Sequence, residues 1–310
     1  MMNNKNPMMK SMFMVNEKHK DASIIIPCKN EGIFLENTIK SIMEAKNNVS
    51  FEIIVVDDGS TDGCTKFLKI DNIKYKDVKL ISSSKLGVGK AKNLGAKYAN
   101  GEIIFFCDAH ILVSDYWLDR LIISIKTNNA HAISCGIRDM NNVGIGFGES
   151  WDSQLSLIWL KKSKSTISEI PIAPGAMFGI YKHVFKLING FDKNMILWGK
   201  EDEEISLRLW LFGYKIIVDN TVEIKHLFKT KNTCGITQEN LVYNHLCLIY
   251  SHFNFQNISK AISLISHRPN FEEAYSKIIF NKKIMEQRKR YFDIRKYNEN
   301  DFFRKFNINF

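Results

Sequence analysis

The chain has 310 residues, enough for one large α/β domain with an appendage or for two modest domains. Its 45% hydrophobic and 25% charged residues are the proportions of an ordinary globular protein. The formal net charge of +10 indicates an anionic partner, and because lysine is the dominant cation, phosphate is favoured over base reading and no nucleic-acid partner is expected.

The start of the chain and its cysteines restrict where the protein works. No stretch reaches 18 consecutive apolar residues, so no membrane-spanning helix is expected. Residues 1–20 are rich in Met, Lys and Asn and lack an apolar signal segment, so they are expected to be a flexible lead-in. The six cysteines form no Cys-x-x-Cys pair and several lie in apolar runs, which favours reduced thiols and a cytoplasmic protein.

The first elements form a parallel sheet. Residues 22–27 and 51–56 are short apolar strands, and the segment between them has one apolar helical face. This spacing predicts a βαβ unit, which places Pro27 and Asp58 at the same sheet edge. The cluster at 57–60 is either a turn with a helix cap or the source of a carboxylate that accepts a hydrogen bond from a nucleobase.

A third strand over 78–81 is followed by a glycine-rich segment at 85–95 that opens a helix. Two glycines and a lysine before a helix suggest a phosphate cradle. The spacing matches neither a P-loop nor a dinucleotide-binding motif, so both of those classes are excluded.

The central strand predicts the chemistry. Residues 103–107 are apolar without alternation, which indicates a strand buried on both faces, and Asp108 and His110 follow at its carboxyl end. Residues two apart on a strand point to the same side, so this carboxylate and this imidazole can share one divalent cation. The alternative is that Asp108 caps the next helix and His110 packs in the core.

Eight segments, in order, resemble a known family. The nucleotide-binding half of a family 2-type GT-A glycosyltransferase is similar to Ile-Ile-Pro-x-x-Asn-Glu at 25–31, Val-Asp-Asp-Gly-Ser-Thr-Asp at 56–62, Gly-x-x-x-Ala-Lys-Asn-x-Gly at 87–95 and Asp-Ala-His at 108–110. Asp-x-His in place of the usual Asp-x-Asp resembles the polypeptide N-acetylgalactosaminyltransferases in particular. Their second half is similar to segments 147–159, 172–180, 190–210 and 226–229.

The resemblance implies an α/β fold of the GT-A, Rossmann-like nucleotide-diphospho-sugar transferase type, with a mostly parallel central sheet. It implies a catalytic domain over 21–235, made of a nucleotide-binding half (21–130) and an acceptor and sugar half (131–235). Residues 236–310 are expected to be a helical, basic extension; their last thirty residues carry a net charge of +5. That extension is either a solvated amphipathic helix against the domain or a peripheral contact with an anionic membrane.

The resemblance also implies a metal and a donor. Asp108, His110 and His226 would hold Mn²⁺, or Mg²⁺, which neutralises the charge that develops on the diphosphate of a UDP-sugar. Without the resemblance, the favoured interpretation of His226 is a histidine that packs on a helix or strand. The residues implied to bind the nucleotide sugar are Pro27, Asn30, Glu31, Asp58, Lys85, Gly87, Lys90, Asp108, Gly175, Trp198 and Lys229.

The acidic run that starts at Glu201 carries the implied catalysis. Glu201 resembles the family's sugar-hydroxyl acceptor, and Glu203 and Glu204 are expected to complement the helix dipole. Asp202 departs from the retaining N-acetylgalactosaminyltransferases, which have an amide there, and matches inverting GT-A enzymes that place their general base there. A carboxylate can deprotonate an acceptor and an amide cannot, so inversion with Asp202 as base is favoured over retention.

Two further departures and one rival function remain. Ala173-Pro-Gly-Ala176 replaces a paired glycine, which bears on sugar choice, and Lys229 replaces an arginine, which weakens bidentate phosphate binding. Peptide, saccharide and lipid-linked acceptors all stay open. The rival from another class is a non-catalytic nucleotide- or nucleic-acid-binding protein that keeps the same scaffold.

Overall fold

The computed structural model describes residues 20–141, 144–229 and 235–310. The predicted lead-in over 1–20 therefore lies outside the described residues except for Lys20, and Cys234 lies outside them as well. The other five cysteines are buried and free.

Strands and helices alternate through the first half and helices dominate the end of the chain. The strands are β1 (Lys20–Cys28), β2 (Phe51–Asp58), β3 (Val78–Ser83), β4 (Gly101–Cys107), β5 (Ile111–Leu112), β6 (Ala132–Asp139), β7 (Ile145–Gly146), β8 (Glu149–Trp151), β9 (Leu157–Trp159), β10 (Ile167–Glu169), β11 (Met177–Tyr181) and β12 (Ile216–His226). The helices are α1 (Phe34–Glu44), α2 (Phe67–Ile70), α3 (Val88–Tyr98), α4 (Trp117–Thr127), α5 (Lys182–Leu187), α6 (Glu201–Leu211), α7 (Gln238–His252), α8 (Phe255–Ile265), α9 (Phe271–Ile279), α10 (Lys282–Ile294) and α11 (Glu299–Lys305).

The central sheet brings four strand ends to one edge. Its strand order is β10-β12-β6-β11-β4-β1-β2-β3. The strands β1 to β4 pair in parallel, β11 runs antiparallel to both β4 and β6, and β12 is parallel to β6. Since two reversals restore the direction, β12 runs the same way as β4. The carboxyl ends of β1, β2, β4 and β12 therefore meet at the edge where ligands bind in open α/β sheets.

The expected mostly parallel sheet holds in the first half of the chain and gives way to a mixed sheet in the second. The strands β5, β7, β10 and β11 all pair antiparallel to a neighbour. An apolar run indicates that a strand is buried but not whether it pairs parallel or antiparallel to its neighbours. The sequence pattern therefore could not predict these antiparallel pairings.

The core lies on both faces of the sheet. Residues 103–107 of β4 have no exposed surface, as their unbroken apolar run predicts. Their side chains alternate, with Ile104 and Phe106 in a cluster that includes α3, α6 and α7, and Phe105 in the cluster that includes α1 and α4. Because side chains pack on both faces of β4, the end of this strand, which Asp108 follows, has a fixed position.

The C-terminal helices join the same core. Trp151 of β8 packs edge-on against Phe302 of α11, with ring centroids 5.8 Å apart, and Trp210 of α6 packs in the same way against Phe306 at 5.0 Å. The expected helical extension begins with α7, which ends at His252. The domain boundary predicted at 236 stays a prediction. Among the described residues, no helix is long and apolar enough to cross a bilayer.

A buried ion-pair network joins α6 to its neighbours. Arg208 and Glu204 have no exposed side-chain surface and pair at 2.7 Å, and Arg208 also donates to the carbonyls of Ile188 and Gly190. The second oxygen of Glu204 lies 2.7 Å from Nε2 of His252 on α7. This network holds the orientation of the helix whose first turn carries Glu201 and Asp202, although Nε of Arg208 and Nδ1 of His252 find no hydrogen-bond partner among the described residues.

Candidate active site

Three side chains from two strand ends converge at the carboxyl edge of the sheet. Oδ2 of Asp108 lies 3.0 Å from Nε2 of His226 and 3.9 Å from Nε2 of His110. The short strand β5 pairs with the end of β12, opposing Ile111 to His226, and so holds His110 beside His226. The ligand atoms of the three residues all lie within 4.8 Å of one another.

The chemistry of this donor set fits a divalent cation. One carboxylate oxygen and two imidazole nitrogens suit a metal of the manganese or zinc type better than calcium, which prefers oxygen alone. Burial opposes ionisation of Asp108, but hydrogen bonding with His226, electrostatic interaction with His226 and His110, and the charge of Lys92 outweigh it. The pKa of Asp108 therefore lies well below its ordinary value, and the carboxylate is ready to bind a cation.

Glu31 orients one of these histidines. Its Oε2 lies 3.0 Å from Nδ1 of His110 and also pairs with Nζ of Lys229. An Nδ1–H donated to Glu31 leaves the Nε2 lone pair of His110 facing Asp108, which is the common arrangement behind a metal-bound histidine. Glu31 and Lys229 were both predicted to touch the nucleotide sugar, and the structure shows that they also bind each other.

A cavity of about 520 Å³ opens over the cluster, a size typical of small-molecule sites. The predicted site residues that line it are Pro27, Glu31, Asp58, Gly87, Asp108, His110, Trp198, His226 and Lys229. Lys29, Phe228 and Leu241 line it as well, although the sequence did not single them out.

The remaining predicted nucleotide residues lie outside that lining. Lys85 is exposed, and Lys90 borders a small neighbouring cavity together with Glu201. Asn30 joins two loops, since its Oδ1 accepts from the backbone N–H of Thr61 at 2.8 Å. Of the three lysines predicted to bind the nucleotide sugar, Lys229 lines this cavity and Lys85 and Lys90 do not, whereas Lys29, which was not predicted, lines it as well.

Asp58 holds the turn that leads into α3. Its two carboxylate oxygens accept from the hydroxyl of Ser83 at 3.0 Å and from the backbone N–H groups of Leu86 and Gly87 at 2.8 and 2.9 Å. Gly87 has φ 83°, and a Cβ there would lie 2.6 Å from the carbonyl oxygen of Leu197. Position 87 therefore needs glycine, and the backbone at Leu197 packs directly against the predicted phosphate cradle.

The turn that carries Trp198 is held by a C-terminal helix. The side-chain amide of Asn244 on α7 donates to the carbonyls of Ile196, Trp198 and Gly199, and its oxygen accepts from the N–H of Ile196. Trp198 itself is half exposed at the cavity mouth. No sequence signal pointed to Asn244, because its partner turn lies more than forty residues away.

Asp202 sits between a lysine and a glycine. Its Oδ1 lies 3.2 Å from Nζ of Lys92, whose side chain is 1% exposed, while Asp202 keeps 27% of its side-chain surface. A Cβ at Gly175 would lie 2.0 Å from Asp202 Oδ2, so Gly175 contacts the carboxylate directly. Burial raises the pKa of Asp202 above its ordinary value, and Lys92 opposes that shift.

The three acidic residues next to Asp202 on α6 have distinct partners. Glu201 is buried and accepts from the N–H of Gly199 at 2.7 Å; burial and the charge of Asp202 raise its pKa to about 8. Glu203 accepts from the indole of Trp151 and from Lys200, at 2.5 and 2.9 Å. Glu203 and Glu204 therefore do more than complement the helix dipole, since both are fixed by specific hydrogen bonds and ion pairs.

Aromatic side chains border the metal cluster. Phe228 packs edge-on against His226, with ring centroids 4.4 Å apart, and against Trp159 at 6.0 Å. Trp159 and Phe228 keep 43% and 39% of their surface exposed. An apolar surface therefore adjoins the cavity on the side of β9.

Comparison with known proteins gives two family matches. The model described as glycosyl transferase family 2 matches residues 23–188, and the model described as the N-terminal domain of galactosyltransferase matches residues 165–232. Together they extend over both halves of the chain, from β1 to the segment after β12.

Curated relatives and a solved structure agree with these matches. Polypeptide N-acetylgalactosaminyltransferase 8 of Drosophila melanogaster is 28% identical over 70% of this chain and 39% of its own length. The inactive polypeptide N-acetylgalactosaminyltransferase-like protein 5 of Macaca fascicularis is 27% identical over 74% of this chain and 56% of its own. The crystal structure of GalNAc-T7 with UDP, GalNAc and Mn²⁺ superposes with a TM-score of 0.67 at 19% identity, over 86% of this chain and 57% of that one. The chain thus spans well under two thirds of each relative.

Proposed function

This chain belongs to glycosyl transferase family 2 and has the GT-A fold, and from that premise we propose that it transfers a hexose or an N-acetylhexosamine from a UDP-sugar to a nucleophilic acceptor with the help of a divalent metal. The observation that carries the proposal is the convergence of Asp108, His110 and His226 on the floor of the cavity.

Different residues of the site would bind different parts of the donor. Asp108, His110 and His226 would hold Mn²⁺ or Mg²⁺, and the metal would neutralise the charge of the departing diphosphate. Lys29 and Lys229 line the same cavity and add positive charge for the phosphates. Pro27 and Asp58 lie at the ends of β1 and β2, where the uridine would bind, and Glu201 would accept a hydrogen bond from a sugar hydroxyl.

Asp202 is the proposed general base of an inverting transfer. In that step the acceptor O–H gives its proton to Asp202, the oxygen forms a bond to the anomeric carbon, and the bond from that carbon to the diphosphate breaks with its electron pair leaving on UDP. The 27% of Asp202 that remains exposed gives an acceptor access to the carboxylate. Burial raises the pKa of Asp202 above its ordinary value, which makes the carboxylate a stronger base.

Relatives of this chain support a second candidate, a retaining transfer to peptide serine or threonine, because the matched proteins named above are polypeptide N-acetylgalactosaminyltransferases. The name of the macaque relative, which is called inactive, supports a third, a nucleotide-binding protein without turnover. Saccharide and lipid-linked acceptors stay open beside peptide.

Release of UDP from a panel of UDP-sugars separates these candidates. Wild-type protein with Mn²⁺ should hydrolyse or transfer one donor, and chelation or Asp108→Ala should abolish the reaction. Asp202→Asn should lose turnover while still binding UDP, whereas unchanged transfer by that variant would favour retention. The anomeric configuration of the product gives an independent answer. Binding of UDP without turnover of any donor would refute the enzyme and leave the nucleotide-binding protein.

A peripheral membrane contact is proposed at the turn between α9 and α10. Phe280 is 81% exposed there and is followed, after Asn281, by Lys282 and Lys283, a combination of apolar and cationic side chains that suits an anionic lipid surface. Phe280→Ser should lose sedimentation with vesicles containing phosphatidylglycerol, and Phe255→Ser, which changes a 75% exposed phenylalanine on α8, should not. Equal sedimentation of all three proteins, or none by wild type, would refute this contact. A cytoplasmic location stays a prediction.

A further inference from the structure

Lys92 is a buried cation that the donor-binding scheme does not use. It lies on α3 between Gly89 and Ala96 on the buried face of the helix, with 1% of its side chain exposed. Its methylene chain and ammonium lie against the ring of Phe191, with Nζ 5.1 Å from the ring centroid. A lysine charge is rarely removed from water without a specific anionic partner.

The partner is the proposed general base. Nζ of Lys92 lies 3.2 Å from Oδ1 of Asp202, and the two residues are 110 positions apart in the chain. Oδ2 of the same carboxylate abuts Gly175, where a Cβ would lie 2.0 Å away. One oxygen is therefore held by a hydrogen bond and the other by close packing, which leaves the carboxylate little freedom to turn.

We propose that Lys92 is a positioning residue for the transfer reaction: it fixes the orientation of the Asp202 carboxylate and keeps it ionised so that it can accept the acceptor's proton. This inference rests on the proposed role of Asp202 as base.

The charges around Asp202 explain why a cation is needed there. Four acidic groups interact electrostatically with Asp202. They are Asp108 at the end of β4, Glu149 on β8, and Glu201 and Glu203 on α6. Of these, Asp108 and Glu203, together with burial, oppose ionisation of Asp202. Lys92 is the cation that opposes this effect, and its own pKa is raised because Asp202, Glu201 and Asp108 outweigh the cost of burial.

Removing the charge should move the pH dependence of turnover. In Lys92→Met, the midpoint of the acidic limb of kcat/KM should rise by about one to three pH units, the usual effect of an opposite charge at this distance. The rate below the new midpoint should then fall and recover as the pH is raised. Lys92→Arg should restore the limb to near its wild-type position, because it keeps the charge.

The matched control is Lys97→Met on the same helix, which removes an exposed lysine from the last turn of α3 and should leave the profile unchanged. UDP affinity, measured by titration calorimetry, should be the same in all variants, and if Lys92→Met does not fold, Lys92→Gln provides the same test with a neutral polar side chain. A merely structural role would lower the rate equally at every pH, and that outcome would overturn the proposal.

Asp202→Asn tells this failure apart from failure of the proposed function. If that variant loses turnover while Lys92→Met keeps the acidic limb in place, Asp202 is a base and Lys92 does not position it. If Asp202→Asn transfers sugar with a wild-type profile, the proposed base is wrong and the inference about Lys92 falls with it.

Discussion

Replacing Gly175 by alanine should displace the proposed base without disturbing the fold. An ideal Cβ at this position lies 2.0 Å from Asp202 Oδ2, and ordinary contact begins at 3.4 Å, so the oxygen must move by about 1.4 Å. The backbone of Gly175 is outside the left-handed region, so alanine adds no conformational strain of its own. The clash falls on the tip of a partly exposed side chain, which can shift while the strand β11 beside it stays in place.

A shift of about 1 Å in a reacting group typically costs about 100-fold in rate, and we expect a loss of that order in kcat. The new position also weakens the 3.2 Å contact with Lys92. The assay is UDP release at saturating donor and acceptor, with UDP affinity and the melting temperature measured on the same samples. Both of these should match the wild type.

Gly144→Ala is the matched control, because a Cβ there meets no atom within 4 Å. It should keep full activity. If Gly175→Ala also turned over at the wild-type rate, the carboxylate of Asp202 would not need its observed position, and the reasoning about the base would be refuted. Loss of UDP binding in parallel with kcat would place Gly175 in the donor site instead.

Three further outcomes follow from the buried contacts. Gly87→Ala should weaken UDP binding at least tenfold in calorimetry, because its Cβ would lie 2.6 Å from the carbonyl oxygen of Leu197; unchanged affinity would contradict the tight closure of the two loops. Arg208→Met should lower the free energy of unfolding by about 3–5 kcal/mol in urea titrations, because it leaves Glu204 charged and buried with His252 alone, and the double variant with Glu204→Gln should recover part of the loss. Burial raises the pKa of Glu204, but the interactions with Arg208 and His252 outweigh burial and hold that pKa below its ordinary value of 4.5. The Glu204 carboxylate therefore stabilises the fold above pH 4.5, and this contribution is lost as the pH falls through its folded-state pKa. A wild-type protein with no more acid sensitivity than Arg208→Met would contradict that linkage.

The first half of the fold and part of the centre of the candidate site could be predicted from the sequence. Unbroken apolar runs predicted β1, β2 and β4 within two or three residues, and the two-residue spacing of Asp108 and His110 predicted that they share one side of the chain. His226 could not be reached in this way, because it lies 118 residues from Asp108 and its strand has no local mark of a ligand. Only the resemblance to a family pointed to it.

Lys92 shows what closer attention to periodicity would have found. Its spacing from Gly89 and Ala96 puts it on the same helical face as these small buried residues, so a buried charge was predictable from a 3.6-residue period. The prediction had instead favoured Lys85 and Lys90, which stand nearer to the glycine turn in sequence. The partner of Lys92 was not predictable, because the approach of α3 to α6 is a long-range contact.

The short pairing of β5 with the end of β12 has a consequence for how the protein acquires its site. Asp108 and His110 lie in the first half of the chain, but their third partner arrives only when β12 docks beside β6 and its last residues pair with β5. Contacts of such long sequence separation form late, after the loop between them has been closed at an entropic cost. A nascent or truncated chain that ends before residue 216 has only two of the three ligands, so affinity for the metal should report completion of the sheet more directly than any measure of helix or strand content.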